Sequence, residues 1–347
     1  MNLKFGIDDR PRFGQLMLYS LQWFVLAIAV VTTSLFIAVG PPAERVLYAQ
    51  KVFALMGITT ILQVFWGHRL PIVVGPAAVL LVGIITALAS QGAETDTGKI
   101  YTSLIVGGAI VTLVAAGRLL ERIQRIFTPR IVVVILMLIA FTLSPTIRNL
   151  IFPAGEEERY AFGLWFTLIG VFSMAVASHA ARGVWKSTVI PAALVIGSVV
   201  YYTIYGGFGE VFASYTESEG PLLLPHLKFD GGMIAAFIFC YVALLINDIG
   251  SIQSLGAMLE TPDTDKRCRR GIGITGAMNM VAGALGVIGP VNYSMSPGVI
   301  ASSSCASRYA LLPPGIGLII CAFVPQLIAL LSAIPNTVIG VILLYLM

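Results

Sequence analysis

The stretch HRLPIVVGPAAVLLVGIITALAS, residues 68–90, is apolar enough for a membrane helix yet does not read as one continuous helix. Pro71 opens a β-branched run, Ile72, Val73 and Val74, and Gly75-Pro76 follows before the helix-like remainder. Proline removes a backbone donor and pushes the residue before it toward extended conformations, and glycine permits extended backbone. The segment is therefore expected to begin as a short extended piece and continue as a half-helix. A second stretch behaves alike: GPVNYSMSPGVIASSSCASRYA, residues 289–310, opens with Gly289-Pro290 and interrupts itself at Ser296-Pro297-Gly298. Such backbone survives at membrane depth only where protein or a water-filled cavity satisfies its polar groups.

The rest of the chain fits that setting. Its 347 residues are 57% hydrophobic and 11% charged, with mean hydropathy +0.91, against roughly 25% charged in a soluble domain. Runs near the ~20 residues that cross a hydrocarbon core of roughly 30 Å fall at 14–38, 46–66, 100–117, 131–147, 161–178, 187–205, 232–258, 271–289 and 312–333. The two interrupted segments, 71–90 and 291–307, lie among them. No soluble domain is read, and no cleavable signal peptide, because MNLKFGIDDRPR is polar and the first apolar run is too long for an h-region. Cys240, Cys268, Cys305 and Cys321 lack metal spacing and read as small buried apolar residues.

The net charge of +4 is more informative by position than by total. With a cytoplasmic N-terminus, the even-side loops hold fifteen of the 21 basic residues: Lys4, Arg10, Arg12, Arg69, Arg118, Arg122, Arg125, Arg130, Arg182, Lys186, Lys266, Arg267, Arg269, Arg270 and Arg308. The other side keeps Arg45, Lys51, Lys99, Arg148, Arg159 and Lys228 and gathers Glu156, Glu157, Glu158, Glu210, Glu217 and Glu219. The positive-inside rule thus places the N-terminus in the cytoplasm of a multi-pass protein of the cytoplasmic (inner) membrane. It also accounts for the basic clusters, so nucleic acid is not an expected partner.

The interrupted segments are the third and the tenth. A pair of them seven apart fits a seven-plus-seven inverted repeat with a site at the midplane; the alternative is two kinked or re-entrant helices with no shared function. The motif order FWGHRLPIVVG, NDIGSIQSLG, DKRCRRGIGITGAMNMVAGALG and NYSMSPGVIA resembles the nucleobase–ascorbate transporter family, the bacterial uracil and xanthine permeases, across about residues 14–345. The resemblance implies an all-α membrane fold of fourteen segments in which segments 3 and 10 contribute two short antiparallel strands beside the substrate. It implies core-domain halves at 1–126 and 231–334, a gate domain at 127–230, and the start of segment 12 at 335–347. The core moves against the gate, driven by H⁺ or, second, by Na⁺, without a cofactor.

The chain departs from that pattern at the site. Where the family places a glutamate on segment 8 in Glu-x-Ile-Gly, this chain reads Asn247-Asp248-Ile249-Gly250. Where it places Glu or Gln before Asn on segment 10, the chain reads Met295-Ser296, and the common Leu-Gln-His of segment 1 reads Leu21-Gln22-Trp23. The residues after Ile334 are too few for another span, at roughly 20 Å of helix, so a fragment, a truncated product or a gate completed by another molecule is expected.

Asn247 and Ser251 on segment 8, Tyr293, Ser294 and Met295 on segment 10, and Ala77 and Ala78 on segment 3 are the expected substrate contacts. Asn247 offers two donors and an acceptor to the amide edge of a pyrimidine or purine but cannot titrate. Asp248, the only acid well inside an apolar span, points about 100° away from that face; it is either the coupling-ion group or a structural tie. Gln22, Gln63, Gln253, Thr275 and Asn279 read as interhelical hydrogen-bonding groups. A symporter of a nucleobase-like solute such as uracil or xanthine is the leading function. An anion transporter of the related fold and a non-transporting homologue are the alternatives. No nucleophile–base pair, P-loop or metal cluster is found, so an enzyme is not expected; His68, His179 and His226 are scattered, the first two in cytoplasmic turns. The expected partners are a small solute, the lipid bilayer and, as an open option, a second copy through the gate domain.

Overall fold

The computed structural model describes residues 3–37, 42–91, 96–117, 120, 144, 147–153, 155, 157–180, 189–216 and 224–346. The expected span 131–147 lies outside the described residues except for 144 and 147, as do Arg118, Arg122, Arg125, Arg130, Arg182, Lys186, Glu156, Glu217 and Glu219. The described helices are α1 (Phe13–Thr32), α2 (Pro42–Phe65), α3 (Ala78–Gln91), α4 (Thr97–Ala116), α5 (Tyr160–Ala180), α6 (Val189–Tyr205), α7 (Phe208–Thr216), α8 (Gly231–Met258), α9 (Thr264–Leu285), α10 (Ser296–Ser303), α11 (Leu312–Ala322), α12 (Pro325–Ser332) and α13 (Asn336–Leu346). Two strands, β1 (Val74–Pro76) and β2 (Pro290–Asn292), complete the set.

Among the described residues five helices are long and apolar enough to cross a membrane, and up to seven spans result if each bent pair counts as one. The bent pairs correct two readings. The expected single span 312–333 turns by 94° between α11 and α12, where Pro325 opens the second helix. The span 187–205 continues past Gly206 and Gly207, both at positive φ, into α7 at 114°.

Small residues bring the main helices together. A Cβ on Gly108 of α4 would sit 2.8 Å from the Gly276 carbonyl of α9, so these backbones touch only because both positions are glycine. The ends of α4 and α8 are joined by charge. Asp96 and Asp230 each cap their own helix, accepting N–H bonds from Gly98 and Met233 at 3.1 and 3.0 Å. Each also pairs with a lysine of the opposite segment, Lys228 at 2.7 Å and Lys99 at 3.3 Å.

One large apolar core joins α1–α4, α8, α9, α11 and the strand pair. A smaller cluster, Met174, Val189, Leu194, Val338, Val341 and Ile342, joins α5, α6 and α13. Along α5, Trp165, Ile169 and Phe172 are exposed, as expected of a helix face against lipid.

Candidate functional site

The two interrupted segments meet in an antiparallel ribbon, Val74 opposite Asn292, Gly75 opposite Val291 and Pro76 opposite Pro290. The Tyr293 N–H to Val73 carbonyl bond and the Ala77 N–H to Gly289 carbonyl bond, both 2.9 Å, extend it at its two ends. The expected extended starts of segments 3 and 10 are therefore present and adjacent. An isolated two-stranded ribbon is marginally stable; this one is pegged from outside. Asn279 Nδ2 donates to the Pro290 carbonyl at 2.9 Å, and the Val73 N–H donates to Ser296 Oγ at 3.1 Å. Gly75 admits a close neighbour: a Cβ there would strike Val30 Cγ1 and stand 3.0 Å from the Tyr293 ring.

Because the strands are antiparallel, α3 and α10 leave the ribbon from opposite ends, each with its N-terminus facing back to it. The first helical bond of α3 runs from the Leu81 N–H to the Ala77 carbonyl, and Met295 before α10 provides no side-chain cap. The first-turn N–H groups of both helices carry partial positive charge.

The expected contacts divide into two sets. Ala78, Asn247, Ser294 and Met295 are exposed. Ala77 and Ser251 are buried, the Ser251 hydroxyl donating to the Asn247 carbonyl at 2.9 Å. Tyr293 is half-buried, and its hydroxyl donates to the Pro76 carbonyl at 2.7 Å, folding the ring back over β1.

Asp248 is fully buried and faces β2 rather than the exposed surface. Its Oδ1 accepts from the Asn292 main-chain N–H at 2.8 Å and from Asn292 Nδ2 at 2.7 Å. Its Oδ2 has no hydrogen-bond partner among the described residues. His68, in the turn after α2, is fully buried, with Nε2 3.1 Å from Asn292 Oδ1. Gln63 Nε2 donates to the Gly271 carbonyl at 2.9 Å and to Thr275 Oγ1 at 3.2 Å, and Tyr241 donates to Asn279 Oδ1 at 3.0 Å. These groups hydrogen-bond between elements, as read for Gln63, Thr275 and Asn279. Sequence reasoning missed Asn292; its one local signal was a polar residue inside an otherwise apolar strand, GPVN. Among the described residues no group of three or more His, Cys, Asp or Glu side chains is placed to hold a metal.

Long apolar helices packed around a pegged ribbon of interrupted backbone are the architecture of a multi-pass membrane protein. The model of the Permease family matches residues 14–347, and the chain belongs to that family. The resemblance read from the motif order thus holds at the level of the family. The chain is 25% identical to the uric acid permease PucK of Bacillus subtilis, over 94% of this chain and 77% of that one. It is 23% identical to the xanthine permease XanP of Escherichia coli, over 97% and 78%. The transmembrane domain of the cyanobacterial bicarbonate transporter BicA matches with a TM-score of 0.67 at 15% identity, covering 98% of this chain and 90% of that one, a likeness of fold.

Proposed function

We propose that this chain is a secondary active transporter of a nucleobase-like solute, of the xanthine, uric acid or uracil class, across the cytoplasmic membrane, with its N-terminus in the cytoplasm. The observation that carries the proposal is the ribbon of β1 and β2, from which α3 and α10 start, with Ala78, Asn247, Ser294 and Met295 each exposed; we read these four as one solute-facing surface. Asn247 supplies the donors and acceptor for an amide edge, Met295 an apolar contact for a ring face, and the helix starts a partial positive field. The names of the relatives support the solute class.

Coupling is assigned to H⁺ at Asp248, ahead of Na⁺: with Oδ1 engaged twice by Asn292, Oδ2 is the oxygen left to take a proton. A seven-plus-seven repeat is proposed, with core halves at 1–126 and 231–334, a gate at 127–230 and segment 12 beginning at 335–347. A second copy is proposed to dock through the gate domain. An anionic solute is the second reading, favoured by the neutral side chains of Asn247 and Met295 where a carboxylate would repel it.

The test is uptake of radiolabelled xanthine, uric acid and uracil by liposomes carrying the purified chain, with and without an inward proton gradient. Gradient-driven accumulation of one of them is expected. Uptake of none, with gradient-independent sulfate or bicarbonate flux instead, would move the chain to the anion reading.

A further inference from the structure

Asn292 ends β2 fully buried, and both sides of its carboxamide are engaged. The Leu70 N–H donates to His68 Nδ1 at 2.9 Å, so that nitrogen is the acceptor and Nε2 carries the proton. His68 Nε2 therefore donates to Asn292 Oδ1 at 3.1 Å, which turns the amide nitrogen toward Asp248 Oδ1 at 2.7 Å and Thr275 Oγ1 at 3.4 Å. The main-chain N–H of Asn292 binds the same Asp248 oxygen. One side chain thus joins the turn after α2, helix α8, helix α9 and strand β2.

The next residue leaves no slack. Tyr293 is bound to β1 at both ends, through its N–H to the Val73 carbonyl at 2.9 Å and its hydroxyl to the Pro76 carbonyl at 2.7 Å. Ser294 and Met295 follow directly and are exposed, whereas Asp248 is sealed from the surface. A change at Asp248 can reach Ser294 and Met295 through Asn292 and Tyr293, a route separate from its sequence neighbour Asn247.

We infer that Asn292 is a positioning residue that places Ser294 and Met295 against the solute in response to Asp248, its orientation fixed by His68. The inference rests on the proposal that this surface binds the solute. Asn292 touches no solute itself. Its two bonds to Asp248 are charge-assisted whenever that carboxyl is ionised, and hydrogen bonds to an ionised group are roughly twice as strong as neutral ones.

The test uses the full chain in liposomes and radiolabelled xanthine exchange, with KM and maximal rate read separately. Asn292→Ala is expected to raise KM about tenfold with the maximal rate within about twofold, since the carboxylate loses its side-chain donor and keeps only the main-chain N–H of residue 292. Asn292→Asp, which sets two carboxylates face to face, is expected to be worse. The exchanged pair Asp248→Asn/Asn292→Asp is expected to return KM to within about threefold of the parent, because a carboxylate and a carboxamide again oppose each other. An unchanged KM in Asn292→Ala, or an exchanged pair no better than Asn292→Asp, overturns the inference. If Asn292→Ala does not fold, His68→Gln decides: it no longer dictates the amide's orientation, and a KM equal to the parent's overturns the inference while a rise of about threefold sustains it. If the parent exchanges no xanthine, the solute proposal falls by itself, and hydrogen exchange of residues 293–298 decides instead. Faster exchange confined to that segment in Asn292→Ala, or in His68→Gln if the alanine variant does not fold, upholds the positioning role; unchanged exchange overturns it.

Discussion

One oxygen of Asp248 holds Asn292 twice, by its main chain at 2.8 Å and by its side chain at 2.7 Å. An acidic side chain at the centre of a membrane helix costs about 2.5–3.5 kcal/mol on insertion scales. The two donors of Asn292 offset part of that cost, and they attach α8 to the strand that leads to the proposed solute surface.

Asp248→Asn is expected to abolish accumulation of solute against its gradient while preserving binding and exchange, since the amide still accepts from Asn292 but cannot carry a proton at neutral pH. Gradient-driven uptake and counterflow measured side by side separate the two properties. Accumulation equal to the parent's would remove Asp248 from coupling.

Asn247→Leu is expected to lose solute binding without unfolding, because each unpaired polar group of the ligand costs about 1–3 kcal/mol, or roughly 5- to 150-fold in affinity. Asn247 is exposed, so thermal stability without ligand should not fall. Equilibrium binding with the melting temperature as control checks this; unchanged affinity would move the site elsewhere.

Gly289→Ala tests the pegging of the ribbon. A Cβ at Gly289 would strike Asn279 Oδ1, whereas one at Gly250 on α8 meets nothing within 4 Å. Overpacking of this kind costs about 1–3 kcal/mol. Gly289→Ala should therefore melt below the parent and Gly250→Ala should not; equal melting temperatures for all three would show that the contact yields freely.

The crossed ion pairs predict behaviour in acid. The hydrogen bond from Lys228 first, then that from the Gly98 N–H, hold the Asp96 carboxyl below its ordinary range; for Asp230 the Met233 N–H comes first and Lys99 second. A depressed carboxylate contributes stability that is complete above its unfolded value, about pH 4, and is lost as pH falls below it. Both groups are partly open to solvent, so the effect is small and screened by salt. Melting curves between about pH 3 and 6 should show a salt-sensitive loss in the parent that Asp96→Asn/Asp230→Asn lacks; identical slopes would discount the pairs.

Much of the framework followed from local chemistry. Pro71, Gly75-Pro76 and Gly289-Pro290 cannot sustain a helical hydrogen-bond ladder, so the extended starts were fixed by residue type wherever the segments came to rest. Apolar runs likewise marked α2, α4, α5 and α8, because a bilayer demands length and composition more than partners. The exposed positions Asn247, Ser294 and Met295 were legible as a pattern of interrupted segments and helix faces. Asn292 and His68 were not. Their meeting depends on Val74 lying opposite Asn292, and a slip of one residue would turn Asn292 to the other face of the ribbon. That register is set by contacts across 44 and 224 residues of chain, to Asp248 and His68. The sequence by itself determined where helices must fail; only the tertiary structure decided which buried groups meet at the failures, because a hydrogen bond forms by distance and direction in space and no local preference encodes either across such separations.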